Sequence, residues 1–151
     1  MANLQIKKEM KIFIHLCILG DPKPQPRHRH YWAFGHSNTY DPAKADKGTF
    51  ASIVQRDAPA EPLNCPIMLE INFFMGRPKG HYGVGKNANI LKPNAPEWHT
   101  SRPDLDNLEK FVKDALNKIY WKDDSIICQT ICRKIYSDRT PRTEINIESL
   151  L

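Results

Sequence analysis

The chain has 151 residues, of which 40% are hydrophobic and 26% charged. That length bounds a single domain with its own core, and the composition excludes a disordered or fibrous chain. With 22 Lys and Arg against 17 Asp and Glu, the net charge of +5 permits phosphate contacts with nucleic acid without requiring them.

Residues 1–9 are polar and charged, with no signal-peptide layout, and read as a loose lead-in. Lys11 to Leu19 is an apolar strand far too short to span a bilayer. Ile12, Ile14, Leu16 and Ile18 alternate with Phe13, His15, Cys17 and Leu19, so both faces read as covered and the strand as interior. Gly20 to Pro26 stops it. Arg27-His-Arg-His30 and Tyr31-Trp32 follow as a loop, where basic residues beside aromatics suit a DNA backbone with bases exposed nearby. The bland alternative is an ordinary solvated loop. A zinc site from His28 and His30 is disfavoured, with no Cys close by.

Asp41-Pro42 is a helix start, a cap residue before a proline. The helix is expected to run to about Arg56 with Phe50, Ile53 and Val54 inward. Pro66 to Met75 alternates as a strand. Gly76 to Trp98 has no helical period and is basic, carrying Arg77, Lys79, Lys86 and Lys92. It reads either as a flap embracing DNA or as a disordered loop. Gly83-Val-Gly85-Lys86 lacks the full phosphate-cradling pattern, so no nucleotide cofactor is expected.

The acidic residues gather further on. Asp104 and Asp106 stand just ahead of an apolar stripe at Leu108, Phe111, Val112, Ala115, Leu116 and Ile119. Pro103 disfavours helix at Arg102, and Asp106 to Glu109 has the spacing of a capping box. Each piece has a plain structural reading: a cap, a surface ion pair from Asp106 to Lys110, and a polar turn at Asp123-Asp124. A helix from Asn107 to Lys118 spans roughly 18 Å, so the second acidic pair meets the first only if the chain returns. Spacing leaves that open. Ser125 to Tyr136 then reads as a strand, and Arg142 to Glu148 as its antiparallel partner. Four cysteines without an export signal are expected as free thiols. These elements define an α+β single domain with a mixed sheet of about four strands and two main helices, in the order β-α-β-loop-α-β-β.

Arg102-Pro-Asp-Leu-Asp-Asn-Leu-Glu-Lys110, Asp114-Ala-Leu-Asn117, Asp123-Asp124 and Arg133-Lys134 occur in this order. Together they resemble the RusA-type Holliday-junction resolvases, closely over His99 to Ile147 and only in general layout before that. The resemblance implies that Asp104, Asp106 and Asp124 hold a catalytic divalent cation, magnesium or manganese, and that Lys110 is needed for cleavage. It implies a homodimer that cuts four-way DNA junctions symmetrically, in recombination and repair. It further implies a cytoplasmic protein working on DNA, without a membrane, and fits a phage or prophage origin. Arg27, Arg29, Lys79, Lys86 and Arg102 are the candidate DNA contacts. The alternatives are a nuclease with broader taste for flaps and forks, or a DNA-binding protein without catalysis. Asp123 reads as structural, and Asp114 as supporting the helix or pairing with Lys110.

Overall fold

The computed structural model describes residues 10–151, and of Tyr31 only the backbone. The loose lead-in expected for residues 1–9 lies outside the described residues. Six strands and two helices follow: β1 (Phe13–Leu19), β2 (Arg29–Ala33), β3 (His36–Tyr40), α1 (Lys44–Gln55), β4 (Ile67–Met75), α2 (Leu105–Leu116), β5 (Ile127–Tyr136) and β6 (Arg142–Ser149). The α+β class and the mixed four-stranded sheet agree with the sequence reading. No helix among the described residues is long and apolar enough to cross a membrane.

The sheet runs β1-β6-β4-β5. β4 lies at its centre because every second side chain, Ile67, Leu69, Ile71, Phe73 and Met75, is apolar and buried. They meet Leu108, Phe111, Val112, Ala115 and Leu116 of α2, the stripe expected from the sequence. Burying each such large side chain contributes about 1.5–3 kcal/mol. α1 closes the same layer. The Phe50 and Phe111 rings meet edge to face at 5.6 Å, and the Tyr120 hydroxyl donates to the Val54 carbonyl at 2.6 Å.

Several expectations are corrected. β6 is not the partner of β5: it pairs antiparallel with β4 and β1, while β5 pairs parallel with β4 on the other side. Parallel neighbours need a crossover, and residues 76–126, which contain α2, supply it. Residues 137–141 therefore pass across the end of β4 rather than forming a tight hairpin. β1 is an edge strand, not an interior one. Leu16 and Ile18 are buried, but Phe13 is 62% and Leu19 68% exposed, on the strand face opposite Leu16 and Ile18. Ile53 is also exposed, bordering an apolar cleft between β1 and α1 with Ile18 and Phe50. The expected loop at Arg27 to Trp32 instead enters a hairpin, β2 paired with β3, that continues to Tyr40.

The stretch 76–98 is an organised loop, not a disordered one. Lys92 N–H donates to the His81 carbonyl and Gly83 N–H to the Ile90 carbonyl, both at 2.9 Å. A Cβ at Gly83 would sit 2.7 Å from the Asn87 carbonyl oxygen, so this glycine serves a close backbone approach. Arg77 ties the loop down, donating to the carbonyls of Ser137 at 3.1 Å and Pro96 at 2.8 Å.

Candidate active site

The first turn of α2 is built from both sides. The Arg102–Pro103 peptide is cis, and Asp104 is extended with φ −72° and ψ 146°. From β5, the Lys134 ammonium donates to the carbonyls of Ser101 at 2.7 Å and Pro103 at 2.6 Å. From the other side, Gln25 N–H donates to the Asn107 carbonyl at 2.8 Å. The helix thus starts at Leu105, with Asp104 as its N-cap position but without a side-chain cap bond. The capping box expected at Asp106 does not form. Asp106 lies inside the first turn instead, where a carboxylate is favoured by the helix dipole.

Helical spacing then lays Asp106, Lys110 and Asp114 in one row, with Glu109 and Lys113 beside it. This polar face and Asp124 line one open depression of about 290 Å³, room for several waters. The row from Asp106 to Asp114 is about 12 Å long. Asp124 reaches it from the turn before β5. Its Oδ1 accepts from the Trp121 indole N–H at 2.7 Å, and Trp121 is fully buried. Asp123 caps the same turn, its Oδ1 accepting from Ser125 N–H at 2.9 Å; the Ser125 hydroxyl first, and then this N–H, hold its carboxyl below the ordinary value. Asp123 thus makes a structural contact within this turn. Of the two readings of Asp114, the pairing with Lys110 is not found: it meets Lys47 of α1 at 3.5 Å, a contact that joins the two helices. Glu109 pairs with Lys113 at 2.5 Å. Among the described residues, the side chains of Asp104, Asp106 and Lys110 have no hydrogen-bond or ion-pair partner, and all three are exposed.

Asp104 borders a second depression, with Arg27, Arg102 and Asn107, which shares no lining residue with the first. Two of the candidate DNA contacts therefore flank one of the candidate carboxylates. Arg29 stands exposed at the start of the β2–β3 hairpin. Lys79 and Lys86 are exposed on the 76–98 loop and line neither depression.

The donors fit a hard divalent cation in kind, since all are carboxylate oxygens. Among the described residues no three His, Cys, Asp or Glu side chains are already gathered closely enough to enclose an ion. Magnesium commonly binds through one or two carboxylates plus substrate phosphate oxygens, so a half-built donor set remains compatible with it. Sequence reasoning gave no role to Trp121, Lys134 or Gln25, which hold these groups in place. Arg133-Lys134 was visible as a motif, but its contact spans 31 residues and has no local signature.

Comparison places the chain among endodeoxyribonucleases: the model of the family described as endodeoxyribonuclease RusA matches residues 20–148. The chain belongs to the RusA family. It is 30% identical over 144 residues to the uncharacterized protein YqaN of Bacillus subtilis (strain 168), a match covering 91% of this chain and 96% of that protein. It is 35% identical over 85 residues to the crossover junction endodeoxyribonuclease rusA of Lactococcus phage r1t, covering 56% of this chain and 55% of the phage protein.

Proposed function

We propose that this chain is a metal-dependent, structure-selective endonuclease that resolves four-way DNA junctions by paired phosphodiester hydrolysis, in recombination and repair. The observation that carries this reading is the trio Asp104, Asp106 and Lys110 at the start of α2, exposed and without partners among the described residues, with Asp124 bordering the same depression as Asp106 and Lys110. The family membership and the name of the phage relative support it.

Asp104, Asp106 and Asp124 are the residues that would hold magnesium, with manganese as a substitute. The ion, when bound, neutralises charge on the phosphoryl oxygens and activates a water. Lys110, four residues after Asp106 on the same row, would meet the charge developing on the scissile phosphate. Arg27 and Arg102 would grip the backbone beside Asp104, fixing register without reading sequence. Arg29, Lys79 and Lys86 would add sequence-independent attraction further out.

A four-way junction has approximate two-fold symmetry, and a homodimer with one site per chain matches paired incisions. A cytoplasmic setting and a phage or prophage origin belong to the same proposal, supported by the phage relative. A broader branched-DNA nuclease, acting on flaps and forks, is the alternative. End-labelled four-way junction, flap and linear duplex, incubated with magnesium and mapped at nucleotide resolution, separate these. The proposal expects two symmetric cuts in the junction, an intact linear duplex, and two chains per junction in sedimentation. Equal cutting of flaps would favour the alternative, and no magnesium-dependent cutting would refute both.

A further inference from the structure

The β2–β3 hairpin is unlike the rest of the surface. Among the described residues its strands pair only with each other. Its tip is the two-residue turn Phe34-Gly35, with φ of 52° and 76°. Such turns favour Asn-Gly, because both residues are left-handed and a Cβ is disfavoured there. A bulky phenylalanine in that conformation is an outlier that local preference does not select. Its ring is also fully exposed, and Trp32, two residues earlier, is 79% exposed. Neither ring helps to hold the fold.

The base of the hairpin is fixed. The Gln25 amide donates to Asp41 Oδ1 at 2.9 Å, joining the two ends of the segment, while Gln25 N–H is bonded to the first turns of α2. Arg27, between Gln25 and β2, lines the depression that contains Asp104. The hairpin is therefore an arm rooted in the segment that borders Asp104. Residues 22–40 hold no carboxylate but include Lys23, Arg27, Arg29 and three histidines. An apolar tip on an arm of this charge fits a polyanion that offers flat aromatic faces.

We propose that Phe34, with Trp32 behind it, stacks on an unstacked base at the branch point of the DNA substrate and gives the enzyme its preference for branched over linear DNA. The proposal rests on the functional reading above. A linear duplex keeps its bases stacked and offers the tip only an edge, whereas a branch point exposes a base face on which an aromatic ring can stack.

The test uses the full chain and its Phe34→Ala and Phe34→Trp variants, with a four-way junction and a matched linear duplex. Binding is measured by competition, and a 2-aminopurine at the branch point reports stacking by its fluorescence. Phe34→Ala is expected to weaken junction binding about ten-fold, leave duplex binding unchanged and abolish the fluorescence change, while Phe34→Trp retains both. Because Phe34 is exposed, all variants should melt together. Unchanged junction affinity in Phe34→Ala, or an equal loss on duplex, overturns the proposal while the nuclease reading stands. Altered self-association of Phe34→Ala without a change in DNA binding assigns the tip to a second protein chain and likewise overturns it. Failure of the parent chain to bind any DNA overturns both.

Discussion

Asp124 is oriented by a tryptophan that solvent does not reach. The Trp121 indole N–H meets its Oδ1 at 2.7 Å and fixes which way the carboxylate faces the depression. Trp121→Phe keeps most of the bulk and deletes only the donor. We expect kcat for junction cleavage to fall about ten-fold with junction affinity unchanged, the signature of a positioning residue. Steady-state kinetics that return the parent kcat would deny Trp121 that role. Asp41 is tuned differently. Burial pushes its carboxyl up, but the Lys47 ammonium, the Ala43 N–H and the Gln25 amide outweigh it and bring the pKa from 3.8 to about 2. A folded value below the unfolded one gives stability that is full above the unfolded pKa and lost as pH falls toward the folded pKa. Asp41→Asn should therefore cost about 2 kcal/mol near neutral pH and flatten the acid limb between about pH 4 and pH 2. Denaturation curves that keep the parental acid limb would contradict this.

At the scale of elements, α2 was the most legible part of the chain. Its apolar stripe is periodic, and Pro103 marks the approach to its start. Its cap and bounds were misassigned: it runs Leu105–Leu116 rather than Asn107 to Lys118, and its start is set by contacts from Gln25 and Lys134 that lie far away in sequence. Lys134→Met removes two charge-assisted bonds from the Ser101–Pro103 turn. It is expected to lower stability by about 2–3 kcal/mol and to reduce cleavage in step, measured by urea denaturation and junction cutting. Stability equal to the parent would show that the turn holds itself. The β2–β3 hairpin was not legible, because its turn is Phe-Gly rather than Asn-Gly and its strands bury no face. The 76–98 loop was ambiguous for a related reason: its order comes from backbone bonds and from Arg77, not from any hydrophobic period.

Over the whole molecule, the α+β class followed from alternation in β4 and periodicity in α2, while strand order did not. Antiparallel pairing of β5 with β6 is the shortest connection, but the α2 crossover sets β5 parallel to β4, and β6 lies on the other side of β4, between it and β1. The same crossover carries Asp124 back along α2, the return that spacing alone left open. It brings Asp124 to the depression of Asp106 and Lys110, while Asp104 borders a different one beside Arg27 and Arg102. The catalytic assignment of these residues is the central proposal. Its most direct test is magnesium-dependent cleavage of a labelled four-way junction by the parent chain and by Asp106→Asn and Asp124→Asn, with binding measured in parallel. We predict that both variants bind the junction as tightly as the parent and lose cutting by at least about a hundred-fold. Undiminished cutting by either variant would contradict the account.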